Sequence, residues 1–394
     1  MKFSRRLDRL PDEIFASLNS RKIEMEQEGR KIYNLSIGTP DFPVPEHIRQ
    51  ALIEAAKDPE NWKYALRDTE ELLEAVCGYY ERRFQVKIEP EQVTSCAGSQ
   101  EGMGHLGLAL CDEGDTILLP GPCYPAFIAC ANIALACPYF YPMPKENGFL
   151  PDLAAIPDEV ADRAKFMIVS LPSNPMGSVG NDAFYQELIA FAKRHDVLII
   201  HDNAYSDIIF DGCIGKSFLS YEGAMEVGAE FFSLSKSFNV TGARLSFLIG
   251  RKDVVQAFYK VRSQYDFGMF LPLQKAAAAA LNGPRDTVLR QKEIYQKRRD
   301  ALCGGFRSIG WDIPDSHGSM FVWARIPSWY ESSMQFCMDL MEQSGVICTP
   351  GASFGPMGEG YVRFALVLSE QEIQKVVAAV DACGILKEKK HEQE

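Results

Sequence analysis

Polar side chains that could act together chemically follow four predicted strands. They are Asn174 after "FMIVSLPS", Asp202 and Tyr205 after "VLIIH", Lys236 after "EFFSLS" and Tyr124 after "LLPGPC". In an open parallel sheet, ligands bind beyond the carboxyl ends of the strands. The sequence therefore predicts one crevice in which a carboxylate, an amide, two phenols and an amine converge.

The amine of this set lies between apolar runs in "FFSLSKSFNVTGARLSFLIG", residues 231–250. Most lysines are solvated, but the runs 231–232 and 245–249 are typical of buried strands. Lys236 is therefore expected at the edge of a core, where desolvation lowers its proton affinity and makes the nitrogen available as a nucleophile or base.

Each of these residues also has an ordinary explanation when it is taken alone. Asp202 could be a loop or N-cap aspartate, Asn174 with the following proline a turn initiator, Tyr124 a packing aromatic and Lys236 a surface charge. All four explanations must hold independently, whereas a single ligand crevice accounts for every residue.

A glycine-rich segment, "AGSQEGMGHLG", offers a place for phosphate. Its glycines do not have dinucleotide-binding spacing, and no strand is predicted before it. The free N–H groups and the dipole at a helix start attract phosphate, so Ser99 and Gln100 are candidate ligands. A plain glycine-rich helix cap explains the segment equally well.

The pattern of elements between about residues 95 and 250 predicts the scaffold of this crevice. Short apolar runs alternate with helical segments such as "NDAFYQELIAFAKRH", which indicates an α/β fold with a parallel sheet covered by helices on both faces. We predict a large domain over residues 48–282. Residues 1–47 and 283–394 are expected to form a smaller α+β domain with an N-terminal arm.

Composition restricts the partners of the chain. Its formal net charge of −12 provides no basic surface for nucleic acid. No apolar run approaches the roughly 20 residues of a membrane helix, and the first residues do not resemble a signal peptide. The 11 cysteines occur singly without zinc-ligand spacing. We therefore expect no metal site and reduced thiols in a cytoplasmic protein.

Eight ordered segments resemble one enzyme family from about residue 30 to 385. They are "IGTPDFPVP", "GSQEG", "GPCYP", "SNPMG", "DNAY", "SLSKSFNVTGAR", "PGASFG" and "YVRFAL". This order is similar to that of the fold-type I aminotransferases of class I/II, which use pyridoxal 5′-phosphate (PLP), and within them to the branch of LL-diaminopimelate, aspartate and alanine aminotransferases. The resemblance implies a mostly parallel seven-stranded sheet between helices, plus a smaller α+β domain.

The resemblance also implies roles around the cofactor ring. Lys236 would hold PLP as an imine and later shuttle the proton at the substrate's α-carbon. Asp202 would pair with the pyridinium nitrogen, which keeps the ring able to accept electrons. Tyr205 and Asn174 would hydrogen-bond the phenolic oxygen, and Tyr124 would stack on the ring.

Further roles concern the phosphate, the substrate and the second subunit. The resemblance implies a phosphate site made by Ser99, Gln100, Ser233, Ser235 and Arg244. Arg363 would clamp the substrate α-carboxylate as a planar fork, beside the backbone of Gly38. An arginine in the apolar strand "YVRFAL" is costly without an anion, which favours this role. Tyr64 would reach the phosphate of the opposite subunit in a homodimer.

Two departures from that branch make the substrate less certain than the reaction. Met176 and Ala243 stand where threonine and tryptophan are usual. The expected reaction moves an amino group from an L-α-amino acid to a 2-oxo acid. A carbon–sulfur β-lyase or a decarboxylase on the same scaffold is the alternative, and a regulatory homologue that binds the cofactor is a third possibility.

Overall fold

The computed structural model describes residues 1–10 and 16–387. Its α-helices are α1 Ala16–Gln27, α2 Glu46–Lys57, α3 Glu70–Phe84, α4 Ser99–Leu110, α5 Pro125–Ala134, α6 Asp158–Ala161, α7 Asp182–His195, α8 Ala224–Val227, α9 Leu234–Ser237, α10 Lys252–Arg262, α11 Leu271–Asn282, α12 Asp286–Ser308, α13 Ser333–Ser344 and α14 Glu370–Cys383. Its strands are β1 Tyr33–Asn34, β2 Val93–Cys96, β3 Thr116–Gly121, β4 Cys137–Pro142, β5 Ala164–Ser170, β6 Leu198–Asp202, β7 Gly228–Ser233, β8 Ser246–Gly250, β9 Phe321–Arg325, β10 Val346–Ile347, β11 Thr349–Pro350 and β12 Tyr361–Ala365.

The largest sheet has seven strands in the order β2-β8-β7-β6-β5-β3-β4. Only β8 is reversed within it, because β8 pairs antiparallel with both β2 and β7. Buried side chains alternate between two core clusters along each strand: Met167 and Val169 of β5 belong to one cluster, Phe166 and Ile168 to the other. The predicted helix-covered, mostly parallel sheet is confirmed.

Local signals in the sequence explain where the helices begin. The Asn181 side chain accepts from the Phe184 N–H and so caps α7. Ser369 and Glu372 form the predicted capping box of α14. Both helices carry a buried stripe on one face, which is what fixes them against the rest of the molecule.

A smaller antiparallel sheet, β11-β12-β9, lies with the C-terminal helices. Its core cluster joins buried residues from 18–35 with others from 295–385, and it also takes in Tyr205, Ile208 and Phe210 from the loop after β6. The proposed domain boundaries at 48 and 283 stay a prediction, and parts of both terminal segments lie outside the described residues.

Two strands of the large sheet were not predicted. β2 directly precedes the glycine-rich segment, so the expectation that no strand stands there is wrong. β4 contains Pro138 and Pro142, and proline disfavours the interior of a sheet. Both strands lie at the edges of the sheet, where fewer ladder hydrogen bonds are required. No helix among the described residues is long and apolar enough to cross a membrane.

Candidate active site

The predicted site residues meet at the carboxyl ends of the parallel strands of the large sheet. β2, β3, β5, β6 and β7 end there, and the reversed β8 begins there, so residues before β8 join residues that follow the other strands. A cavity of about 270 Å³ lies there. Twelve of the thirteen predicted residues line it: Gly38, Ser99, Gln100, Tyr124, Asn174, Asp202, Tyr205, Ser233, Ser235, Lys236, Arg244 and Arg363.

One hydrogen bond holds the amine of Lys236, and another holds its main chain. Lys236 Nζ donates to the Gly38 carbonyl at 2.7 Å, and Gln291 Nε2 of α12 donates to the Lys236 carbonyl at 2.8 Å. Burial lowers the pKa of Lys236 to about 8, and the positive charges of Arg363 and Arg244 act in the same direction. A substantial fraction of this amine is therefore neutral near physiological pH.

The carboxylate of Asp202 lies at the end of β6 without a full set of partners. Its Oδ1 atom is buried and has no hydrogen-bond partner within the described residues. Burial raises the pKa of Asp202 to about 6, against the lowering effects of His201 and of the Ala204 N–H. A buried acceptor in this state is costly unless a ligand supplies a donor.

Aromatic and amide groups surround this pair. Tyr124 donates its hydroxyl to Gln100 Oε1 at 2.9 Å. Tyr205 is buried, and its ring packs edge-on against Phe321 with centroids 5.7 Å apart. Asn174 is also buried and accepts a hydrogen bond from Arg363. These groups form the walls of a slot suited to a flat ring.

The predicted phosphate ligands lie together at the start of α4. Gly98 has a φ of 88°, and a Cβ there would come within 2.1 Å of an Arg244 guanidinium nitrogen. Only glycine therefore lets the arginine pack over the helix start. Ser99 Oγ donates to Ser246 Oγ at 3.4 Å, and Ser233 Oγ accepts from the Ser235 N–H at 3.2 Å.

Arg363 is held by several contacts in the wall of the cavity. Its guanidinium donates to Asn174 Oδ1 at 2.9 Å and to the Ser36 carbonyl at 2.7 Å. Phe321 and Phe354 lie over its faces, with ring centroids 4.1 and 4.8 Å from Cζ. Burial lowers the pKa of Arg363 to about 10, and its Nε has no partner among the described residues. The group is a desolvated cation that is ready for an anion.

A second cavity, of about 420 Å³, adjoins the first. Both are lined by Ile37, Gly38, Tyr124 and Arg363. No sequence pattern predicts this second cavity, because part of its wall comes from the polar helix α1. Neither Met176 nor Ala243 lines either cavity; Met176 is buried in the core and Ala243 packs against the same core cluster.

Tyr64 is the one predicted residue that lies outside the cavity. Its side chain is 79% exposed and stacks obliquely on Phe267 at 5.0 Å. Nearby, Trp62 and Phe270 form another exposed aromatic pair at 5.1 Å. Together with Leu66 these residues form an exposed apolar patch, which is uncommon on a surface that faces only water.

Comparison with known proteins identifies the family. A profile described as Aminotransferase class I and II matches residues 30–380. The chain belongs to this family. The LL-diaminopimelate aminotransferase of Moorella thermoacetica is 41% identical to this aminotransferase over 381 residues, covering 96% of this chain and 97% of that one. The enzyme of the same name from Dehalococcoides mccartyi is 38% identical over 380 residues, or 96% and 98% of the two chains.

Solved structures agree with the assignment. A substrate-bound BacF from Bacillus subtilis superposes with a TM-score of 0.92 at 36% identity, over 97% of this aminotransferase and 98% of that chain. A probable N-succinyldiaminopimelate aminotransferase from Thermus thermophilus gives a TM-score of 0.90 at 32% identity, over 94% and 100% of the two chains. The predicted family, branch, fold type and transaminase class are confirmed.

Proposed function

We propose that the protein binds PLP and uses it to move an amino group from an L-α-amino acid to a 2-oxo acid. The observation that carries this proposal is a lysine with a lowered pKa, in one cavity with an unpartnered buried carboxylate and a desolvated arginine. An amine nucleophile, an acceptor for a ring N–H and an anion clamp are what this reaction requires of a protein.

Three features of the cavity fit PLP. The free Oδ1 of Asp202 lacks a donor that a protonated pyridine nitrogen would supply. The Arg244 guanidinium over Gly98, beside the N–H groups that begin α4, offers positive charge for a phosphate. The slot between them is lined by Tyr124 and Tyr205. Cofactor and site therefore match at the nitrogen, the phosphate and the ring.

In this proposal each side chain around the ring has a separate role. Lys236 holds the cofactor through Nζ and moves the proton at the substrate's α-carbon. Asp202 keeps the ring nitrogen protonated, and Tyr205 and Asn174 hold the ring's oxygen. When bound, PLP supplies an electron sink for the electrons released at the α-carbon. Arg363 orients the α-carboxylate, which fixes the reacting hydrogen near Lys236.

The remaining phosphate ligands and the substrate contact follow the same pattern. Ser99 and Gln100 of α4 would bind the phosphate together with Ser233 and Ser235, which flank the start of α9. Gly38 would bring backbone close to the substrate, since its carbonyl already lies 2.7 Å from Lys236 Nζ. These assignments are supported by their shared place in the cavity.

We also propose a homodimer with shared active sites. The exposed patch around Trp62, Tyr64, Leu66 and Phe267 is continuous with the segment that precedes α11. Burial of such a patch against a second copy would remove its contact with water, and Tyr64 is free to reach the partner's phosphate site. A cytoplasmic location is proposed because all 11 cysteines are free thiols.

The reaction class is tested by adding single amino acids to the PLP-loaded enzyme without any oxo acid. Conversion of the bound cofactor to its amino form, followed by absorbance, supports transamination. Pyruvate or sulfide released without that conversion would favour the β-lyase alternative. A panel that includes aspartate, alanine, aromatic amino acids and LL-diaminopimelate, the compound named in the relatives, addresses the substrate.

Replacement of the lysine is the sharpest test of the site. Lys236→Ala should lose the cofactor bond that borohydride traps, and turnover should fall by at least about 10³-fold because no positioned base is left. Lys216→Ala is the matched control, since Lys216 is half-exposed and its ammonium group pairs with Asp182 on the surface. Undiminished turnover in Lys236→Ala would end the assignment.

A further inference from the structure

The larger cavity is lined by a cation, Lys22, that the proposed reaction leaves unused. Leu18, Asn19 and Lys22 of α1 line it on one side. Residues four apart in a helix share one face, so Leu18 and Lys22 point into the same space. Across the cavity lie Arg363 and Tyr124, which belong to the site already described.

The residues that the two cavities share indicate where a substrate side chain can go. Gly38 and Arg363 line both spaces, and the Gly38 carbonyl lies 2.7 Å from Lys236 Nζ. An amino acid with its carboxylate on Arg363 and its amino group near Lys236 therefore has its α-carbon at the junction. Its side chain extends away from the ring slot into the larger cavity.

The charge of the larger cavity indicates what that side chain carries. Its thirteen lining residues include two cations, Lys22 and Arg363, and no aspartate or glutamate. The whole chain carries a net charge of −12, so this cavity is a local exception to an acidic protein. A cavity with cations at two points favours a ligand with two negative groups. Arg363 is assigned to the α-carboxylate, which leaves Lys22 for the second group.

We infer that Lys22 determines specificity by binding a carboxylate at the far end of the substrate side chain. The inference rests on the proposed transamination and names its substrate class, dicarboxylic amino and oxo acids. Apolar lining from Leu18, Ile37, Ile347 and Phe354 suits the methylene stem of such a side chain. The amide of Asn19, three positions before Lys22, adds a second polar group on the same wall.

The present partner of Lys22 is replaceable. Lys22 Nζ lies 3.2 Å from Glu26 in an i,i+4 pair, and the two side chains are 26% and 47% exposed. Pairs of this kind on a helix surface are weak. Because the pair is weak and Glu26 is about half-exposed, a substrate carboxylate in the cavity can replace Glu26 as the partner of the ammonium group.

The test compares kcat/KM for L-glutamate and L-leucine as donors to the PLP-loaded enzyme. Lys22→Met should lower the glutamate-to-leucine ratio by roughly 10- to 100-fold, because a hydrogen bond to a charged group is lost. Lys22→Arg should restore most of the ratio. Lys31→Met is the matched control, since it removes one exposed positive charge that lines neither cavity, and it should leave the ratio unchanged.

Glutarate, an unreactive dicarboxylate, provides a second readout by calorimetry. Lys22→Met should weaken its binding by at least tenfold, and Lys31→Met should not. Equal losses for glutamate and leucine, or glutarate binding that is insensitive to Lys22, would overturn the specificity role and leave the transamination standing. Absence of cofactor conversion with every amino acid would instead overturn the proposed function, and glutarate binding would still report on Lys22.

Discussion

Two buried carboxylates on neighbouring strands have opposite surroundings. Asp202 ends β6, and Glu230 lies on β7 in register with His201. Because successive residues of a strand face opposite sides of a sheet, Asp202 points into the cavity while His201 and Glu230 point away from it. Burial alone does not distinguish the two acids, since both belong to the buried residues.

Hydrogen bonding distinguishes them. Glu230 accepts four hydrogen bonds at 2.7–3.0 Å, from Tyr80 Oη, Ser217 Oγ, the Phe218 N–H and His201 Nδ1. Asp202 keeps one oxygen without a partner among the described residues. A buried carboxylate with a full set of hydrogen bonds stabilises the fold. A buried carboxylate that lacks a donor destabilises it, and a ligand that supplies the donor removes this destabilisation. Glu230 is therefore a structural carboxylate, whereas Asp202 has an oxygen available to bind a ligand.

Asp202→Asn should produce the largest effect. We expect turnover to fall about 10³-fold, because the charge that holds the ring nitrogen protonated is lost. The cofactor-free protein should become more stable at pH 7, by up to about 3 kcal/mol, since a folded-state pKa near 6 against the ordinary 3.8 makes ionisation costly above pH 6. Urea unfolding and steady-state kinetics measure the two effects.

The control for that experiment is a surface aspartate. Asp182 is exposed, and hydrogen bonds from Lys216 and Tyr221 lower its pKa. Asp182→Asn should leave PLP binding unchanged and should not stabilise the protein. If Asp202→Asn were also destabilising at neutral pH, the view of Asp202 as an acid that costs folding energy would be wrong.

The next effect is the pH dependence of cofactor capture by the cofactor-free protein. Asp202 must be ionised, which occurs above about pH 6, and Lys236 must be neutral, which occurs as the pH rises through about 8. The capture rate should therefore rise by roughly 100-fold from pH 6 to pH 8 and level off above pH 9. Stopped-flow absorbance with PLP measures this profile. A rate that keeps rising tenfold per pH unit to above pH 10 would contradict the lowered pKa of Lys236.

The sequence analysis predicted Asp202, the carboxylate that lacks a hydrogen-bond partner, but not Glu230, the carboxylate with four. Asp202 stands out because it comes one residue after the apolar run 197–200, and Lys236 stands out because apolar runs flank it on both sides. Glu230 lies inside a run that looks like an ordinary buried strand, and its partners come from 12 to 150 positions away in the chain. Contacts between residues so far apart in the chain produce no periodic sequence pattern from which they could be predicted.

Other parts of the site show the same limit. The central strands are long apolar runs, so they were predicted, whereas the edge strands β2 and β4 contain polar residues and prolines. Lys22 lines a cavity with Arg363 although more than 300 positions separate them. A lysine in a polar helix is typical of a solvated face, and only the tertiary packing shows otherwise.

Arg363→Lys should have an intermediate effect on turnover. It tests the group that binds the substrate carboxylate, as Asp202→Asn tests the group that binds the ring nitrogen. Lysine keeps the charge but loses the planar fork held by Asn174 and the Ser36 carbonyl. We expect kcat/KM to fall roughly 10- to 100-fold with PLP still bound. Arg325→Lys, at an exposed position on β9, is the control and should change neither quantity. Loss of the cofactor absorbance in Arg363→Lys would move this residue from substrate to cofactor binding.

Glu230→Gln should have the smallest effect on catalysis and is the direct counterpart of Asp202→Asn. The glutamine amide cannot accept hydrogen bonds from all four donors, so the free energy of unfolding should fall by about 2–3 kcal/mol. Turnover per folded molecule should stay within about threefold, because Glu230 faces away from the cavity and Asp202 keeps its place. Active-site titration with borohydride supplies the count of competent molecules. A loss of turnover comparable to that of Asp202→Asn would show that the two carboxylates act as one unit across β6 and β7.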